Sequence, residues 1–268
     1  MYYGRKKIFT TPLLVCTLVL ALLVGATEQM QAQQKAKMHK VKVLAEFPHD
    51  IGSYTQGLFF LDGQLWETTG QYGQSHLIMV NLQTGKWIRK WKFNKKYFIE
   101  GSCAFGQNLY ILTWMEHICF VYTLNNPEKK LKEVGKASYP TEGWGITTDG
   151  KNIIMSDGSS QLYFMDPASL YCTSRLNVTL NGKPLEYINE LEWIDGKIWA
   201  NVYLSDNIVI IDPATGVVTD IIECANILPQ KLRTKATDVL NGIAYNPLDK
   251  SIYITGKYWP RLYKIAKP

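Results

Sequence analysis

From about residue 41 onward, apolar residues come in short runs rich in Val, Ile, Leu, Tyr and Trp. Turn residues interrupt these runs at roughly every 8 to 12 positions, a spacing that predicts strands. The first stretch shows the unit. Gly57 to Leu61 predicts one strand, Asp62 and Gly63 a tight hairpin turn, and Leu65 to Thr69 a second strand. After Gly70-Gln71-Tyr72-Gly73-Gln74, a third strand is predicted over His76 to Leu82. Thr84 and Gly85 turn the chain into a fourth, Trp87 to Phe93. Asp149-Gly150, Asp195-Gly196 and Pro247-Leu248-Asp249 take the place of the first turn in later copies. Asn125-Asn126-Pro127, Asp166-Pro167 and the run Asp212 to Gly216 take the place of the third. No amphipathic helix of useful length emerges, and Ile227 to Arg233 predicts a short helical turn.

A longer period overlies the strands. Five polar residues, each leading into an apolar segment, recur at Gln56, Glu100, Glu142, Asn189 and Asn241, spaced by 44, 42, 47 and 52. That interval is close to the length of a four-stranded propeller blade. Each copy sets a polar side chain at one structural place, and five such places in a ring make a pocket. The last copy supplies only three strands, Gly242 to Tyr245, Ser251 to Gly256 and Arg261 to Ile265. Val41 to Pro48 alternates and supplies the fourth, which closes the ring and removes both open edges. The predicted fold is therefore all-β, a five-bladed β-propeller over 41–268 whose last blade is closed by an N-terminal strand. A pair of β-sandwiches is the competing architecture, and the single period argues against it.

The net charge of +6 is largely local. Arg5, Lys6 and Lys7 precede the apolar run Pro12 to Ala26, and Val24-Gly25-Ala26 offers small residues for cleavage, with Ala32 a second candidate. Residues 1–26 thus predict a signal peptide or an N-terminal anchor, and 27–40 a polar linker. The body is expected to be exported, periplasmic or secreted, and membrane-anchored if the leader stays. No membrane span is expected in the mature domain, and a monomer is expected. The body itself is near neutral, without a Lys/Arg stripe interleaved with aromatics, so nucleic acid is not an expected partner. Cys103, Cys119, Cys172 and Cys224 lie in apolar strand-like runs and read as buried free thiols, with three disulfide connectivities left open. The four histidines avoid the repeated motifs, and no cluster has zinc-like spacing, so no metal ligand is assigned. A structural ion on the propeller axis stays open.

Several segments are idiosyncratic. They are Tyr54-Thr-Gln-Gly-Leu, Leu65-Trp-Glu-Thr-Thr-Gly-Gln-Tyr-Gly, Tyr97-Phe-Ile-Glu-Gly, Glu142-Gly-Trp-Gly-Ile-Thr-Thr-Asp-Gly, Asn189-Glu-Leu-Glu, Ile198-Trp-Ala-Asn-Val, Asp238-Val-Leu-Asn-Gly-Ile-Ala and Thr255-Gly-Lys-Tyr-Trp-Pro. In this order, from about residue 50 to residue 260, they resemble the plant- and bacterial-type glutaminyl-peptide cyclotransferases. The resemblance implies a five-bladed propeller that converts the N-terminal glutamine of peptides and proteins to pyroglutamate with release of ammonia. It also implies that no catalytic metal or other cofactor is required.

That reaction is an intramolecular aminolysis, so the protein need supply no nucleophile. It must hold the glutamine bent, move a proton from the amine to the departing nitrogen and stabilise an oxyanion. A free α-amine has a pKa of about 7.7 to 8.0, and one carboxylate can carry its proton to the leaving group. Glu100 is the candidate for that role: partial burial at the channel mouth should raise its pKa. The ordinary alternative is a glutamate capping a strand turn, and the resemblance favours catalysis. Gln56 and Asn189 can donate and accept, which suits substrate binding, though amides at such places also tie neighbouring strands, the reading kept open for Asn241. The resemblance places Trp114 and Trp144 in the pocket, where flat rings narrow a slot and an indole N–H can donate to an oxyanion. Tyr54 and Phe98 add aromatic wall. Tyr203 stands where a further tryptophan is expected. Lys257 could orient Glu100 or meet negative charge, and Glu142 is a secondary acid placed to pair with it. Trp66, Trp87, Trp91 and Trp199 read as packing. Two other functions stay open at this point: a metal-dependent lactonase or hydrolase propeller, and a non-catalytic peptide-binding propeller.

Overall fold

The computed structural model describes Met1 and residues 35–123 and 130–268. The leader beyond Met1, the linker to residue 34 and the turn expected at Asn125-Asn126-Pro127 lie outside the described residues. The chain forms a closed ring of five antiparallel blades, with a strand from the N-terminal side completing the last. Ahead of the ring come β1 (Lys37–Lys40) and β2 (Val43–Pro48). The first blade is β3 (Thr55–Leu61), β4 (Gln64–Thr69), β5 (His76–Val80) and β6 (Trp87–Lys92), from the axis outward. The second is β7 (Ile99–Phe105), β8 (Asn108–Thr113), β9 (Ile118–Thr123) and β10 (Lys132–Ser138). The third is β11 (Ile146–Thr148), β12 (Ile153–Ser156), β13 (Gln161–Met165) and β14 (Cys172–Asn177), followed by the small hairpin β15 (Thr179–Leu180) and β16 (Lys183–Pro184). The fourth is β17 (Ile188–Ile194), β18 (Lys197–Val202), β19 (Asn207–Ile211) and β20 (Val218–Glu223). The fifth is β21 (Leu240–Asn246), β22 (Ser251–Gly256) and β23 (Arg261–Ile265).

β2 pairs antiparallel with β23, Glu46 opposite Tyr263 and Phe47 opposite Leu262, which is the expected closure. A buried polar network locks this joint. His49 Nδ1 donates to Trp259 O at 2.7 Å, and its Nε2 meets Glu67 Oε1 at 3.3 Å. Thr55 and Ser53 hydroxyls complete the Glu67 carboxylate at 2.7 and 3.2 Å. Burial pulls the His49 pKa down, but Glu67 beside it more than reverses this, and the imidazole titrates above its ordinary value.

The linker reading needs correction at its end. Lys37–Lys40 is a strand, paired in parallel with the outer strand β20 from Lys37 opposite Asp220 to Lys40 opposite Glu223. The edge of β20 offers unpaired backbone groups, and β1 satisfies them, with His39 Nε2 adding a 2.8 Å contact to Asp220 Oδ1. The short helical turn expected near Ile227 is a 3-10 turn at Gln230–Leu232.

Burial grades outward within each blade. Inner strands such as β3 and β7 are buried along their first five residues, whereas β6 and β14 are mostly exposed. Inner strands are covered by neighbouring blades, so even their polar residues, such as Gln56, Glu100, Asn189 and Asn241, are buried. The core lies between blades: Trp199, Ile208, Leu240, Ile243, Ile254 and Trp259 form one such seam between the fourth and fifth. Each fully buried aliphatic side chain there contributes about 1.5–3 kcal/mol. Trp66 stacks on Trp91 with centroids 5.5 Å apart, and Trp199 is fully buried, so these tryptophans pack as expected. All four described cysteines are free thiols. Cys103, Cys119 and Cys224 are buried, but Cys172 is exposed, because it begins the outer strand β14. Among the described residues no helix is long and apolar enough to cross a membrane.

Candidate active site

The ring of polar positions is real, with one change of register. Gln56, Glu100, Asn189 and Asn241 are each the second residue of an inner strand, β3, β7, β17 and β21. The third member is set by how tightly the inner strands approach. A Cβ on Gly57 would lie 2.5 Å from Ser102 N, and one on Gly101 would lie 2.9 Å from Ile146 N. One on Gly145 would lie 2.0 Å from Asn189 O. Gly57, Gly101 and Gly145 are therefore equivalent, and Trp144, not Glu142, stands in the ring beside Gln56 and Glu100. The intervals become 44, 44, 45 and 52. The Glu-Gly pair at 142–143 imitates Glu100-Gly101, while Trp144-Gly145 makes the packing contact.

At the end of the ring where these strands begin, a cavity of about 220 Å³ opens. It is lined by Tyr54, Gln56, Phe98, Glu100, Trp114, Trp144, Asn189, Tyr203 and Lys257, so every residue assigned to the site from sequence is brought together. Their contributions come from three kinds of place. Inner-strand starts give Gln56, Glu100 and Asn189. The residues just before or within the turn leading to inner strands give Tyr54, Phe98 and Trp144. The residues directly after β8, β18 and β22 give Trp114, Tyr203 and Lys257.

Glu100 is 5% exposed and accepts a 2.8 Å hydrogen bond from Gln56 Nε2 on its Oε1. Asn241 Nδ2 donates to Thr55 O at 3.0 Å and lies 3.5 Å from Gln56 Oε1. Asn241 thus ties the first and fifth inner strands and steadies Gln56 from behind. Burial raises the Glu100 pKa well above the usual carboxylate range; the nearby charges of Glu142 and Glu116 raise it further, and Lys257 opposes them. Lys257 is 3% exposed, and burial lowers its pKa against the pull of Glu100 and Asp238. Its Nζ lies 4.6 Å from the Tyr54 ring centre and 5.4 Å from that of Tyr203, so two aromatic faces cradle the cation. A buried acid and a buried base thus face one cavity, each shifted toward its neutral form.

Aromatic contacts fix the walls. Phe98 meets Trp114 edge-on at 5.6 Å and Tyr54 at 6.2 Å. It also fills the space a side chain on Gly70 would need, since a Cβ there would come within 2.5 Å of its ring. Trp144 meets Tyr203 edge-on at 5.6 Å. Tyr203 therefore occupies the wall where a tryptophan was expected.

The indole N–H groups are not available to an oxyanion. Trp114 Nε1 donates to Glu142 Oε2 at 2.6 Å, and Trp144 Nε1 donates to the same oxygen at 2.8 Å. The expected partnership of Glu142 with Lys257 is replaced by this one, and Lys257 has Glu100 and Asp238 as its charged neighbours.

Four contributors escaped the sequence reading. Gln71 lines the cavity from a turn with φ of 89°. Glu116 accepts the Phe98 N–H at 3.3 Å, Asp238 bears on Lys257, and Tyr258 packs on Tyr54 at 5.1 Å. Gln71, Asp238 and Tyr258 lie inside the idiosyncratic segments, where their loop context masked them. Among the described residues no group of three or more His, Cys, Asp or Glu side chains is placed to hold a metal ion.

Comparison with known proteins gives a consistent result. A family model described as glutamine cyclotransferase matches residues 15–266. A glutaminyl-peptide cyclotransferase of Arabidopsis thaliana is 39% identical over 232 residues, 85% of this chain and 72% of that protein. The crystal structure of Myxococcus xanthus glutaminyl cyclase superposes with a TM-score of 0.78 at 32% identity, covering 87% of this chain and 98% of that one.

Proposed function

The chain belongs to the glutamine cyclotransferase family, and from that premise we propose how its pocket converts the N-terminal glutamine of a peptide to pyroglutamate with release of ammonia. The glutamine enters the cavity with its methylenes between the Trp114 and Trp144 rings, and Gln56 and Asn189 bind its polar groups. Because the reaction is already intramolecular, the pocket's contribution to proximity is to freeze the rotations of the glutamine side chain in the bent, reactive geometry. Glu100 takes a proton from the amine. The amine nitrogen attacks Cδ, and the N–Cδ bond forms as the carbonyl becomes an oxyanion. With the indole N–H groups engaged by Glu142, Lys257 is the cation placed to meet that charge. Glu100 then gives its proton to the amide nitrogen, the C–N bond breaks and ammonia leaves. A carboxylate whose pKa burial raises is a stronger base than a free one, which suits the proton transfer from the amine.

The observation that carries this reading is Glu100 itself: buried, held by Gln56, opposite Lys257 and open to the cavity. The chemistry calls on no metal or other cofactor, and one chain completes the pocket, so we take the protein to act as a monomer. Export remains part of the reading, with secreted or periplasmic peptides as substrates. Incubation with a Gln-Xaa peptide should give the mass loss of one ammonia, undiminished by chelators. Absence of that loss contradicts the cyclase reading, and loss of activity on chelation contradicts its metal independence.

A further inference from the structure

Glu142 lies outside the ring and is not among the residues that line the cavity, yet two cavity-lining tryptophans donate to it. It sits ahead of β11 in a loop pressed onto the second blade. His117 Nδ1 donates to Thr141 O, the Tyr139 hydroxyl donates to Thr113 O, and Gly143 N donates to Trp114 O at 3.4 Å. A Cβ on Gly143 would come within 2.2 Å of the Tyr139 hydroxyl, so the loop has no slack. The carboxylate is thereby delivered to a point where indoles from two blades converge, Trp114 from beyond β8 and Trp144 from before β11.

We propose that Glu142 is a positioning residue for cyclisation: one carboxylate oxygen pins two pocket walls and turns their ring faces toward the glutamine. The inference rests on the reading of this cavity as the cyclase site. An indole that lost this partner would gain freedom to tilt, and a tilted wall widens the slot that bends the substrate. Trp144 would keep its seat on Gly158, where a Cβ would come within 2.7 Å of the ring, and its edge contact with Tyr203. Trp114 would keep only its edge contact with Phe98 among these ring partners. A single oxygen accepting two N–H groups is best served by a charged acceptor. The amide oxygen of a glutamine has the two lone pairs needed but not the charge, so it can keep both contacts in weakened form.

The same carboxylate also acts on Glu100 through space. Glu100 faces Lys257 at the end of β22, Glu116 beyond β8 and Glu142 ahead of β11. The phenols of Tyr54, Tyr72 and Tyr139 also surround it. Removing the charge of Glu142 takes away one of two like charges, so the limb of the pH profile set by Glu100 should move to lower pH.

The test compares Glu142→Gln and Glu142→Ala, reading kcat, KM and the pH profile of kcat/KM on a Gln-initiated peptide. Glu142→Ala should lower kcat/KM by about 10- to 100-fold, with a raised KM carrying much of the loss. Glu142→Gln should recover a substantial part of it, and both variants should show the shifted limb. Wild-type kinetics with an unshifted limb in Glu142→Ala would overturn the proposal while leaving the cyclase reading intact. Equal losses in both variants with no shift would also overturn it, in favour of a purely structural acid. A wild-type protein that cyclises no Gln peptide would remove the cyclase reading and this inference with it.

Discussion

Glu100 is the second residue of the inner strand of the second blade and Glu190 the third residue of that of the fourth, and burial raises the pKa of both well above the usual range. Their surroundings differ. Glu190 accepts from Leu58 N at 3.2 Å on Oε1 and from Ile243 N at 2.8 Å on Oε2. It thus spans the propeller axis, stitching the fourth blade to the first and fifth. Glu192 continues the seam, accepting from Tyr245 N at 2.7 Å, and burial pushes it up to about 8. Both oxygens of Glu190 face fixed backbone donors, and it is not among the residues lining the cavity that Glu100 faces. Glu100 instead has a side-chain donor, a buried cation and open space. A shifted pKa alone would nominate either acid; what separates architecture from chemistry is whether the partners can yield to a substrate.

The comparison can be pressed first at Lys257. Its replacement by Met should lower kcat by about 10²–10³-fold, the usual cost of losing one oxyanion-stabilising donor, with a smaller change in KM. Steady-state kinetics would show it, and an unchanged kcat would return the oxyanion to another donor. On the Glu190 side the effect is on stability. Glu190→Gln leaves one of two buried N–H groups facing an amide that cannot accept it well, and should cost about 1–3 kcal/mol in urea unfolding. Its specific activity, per folded molecule, should stay unchanged. The same seam should also make stability depend on pH. The folded-state pKa of Glu192 is raised, so the stability it contributes is complete below the ordinary carboxylate range and is lost as pH rises through about 8. Urea midpoints should therefore fall over that interval, and less steeply in Glu192→Gln.

Much of this arrangement could be read from the chain. The blades were legible because many hairpins announce themselves with Asp-Gly, Thr-Gly or Pro-containing turns. The closing strand was legible because Val41 to Pro48 alternates next to a blade lacking one strand. The strand at Lys37–Lys40 was not, since a polar tetrapeptide in parallel pairing depends on the free edge of β20 rather than on its own pattern. That the nine residues assigned from sequence would line one cavity was legible because segment order and motif identity fix where they fall in the ring. Glu142 was misplaced because Glu-Gly occurs where the local pattern invites it, whereas strand approach at Gly145 decides the register. Its hold on two indoles needed three dimensions, because Trp114 and Trp144 belong to different blades. Cys172 sits in a sequence that reads as apolar strand, and only its place at an outer edge exposes it.

The central claim is that Glu100, and not buried acidity in general, carries the proton. The most direct measurement is ammonia release from a Gln-initiated peptide by folded Glu100→Gln, with folded Glu190→Gln beside it. The account predicts a loss of at least about 10²-fold in kcat for Glu100→Gln, with its unfolding transition retained, and wild-type turnover for Glu190→Gln. Near-wild-type turnover by Glu100→Gln would contradict it.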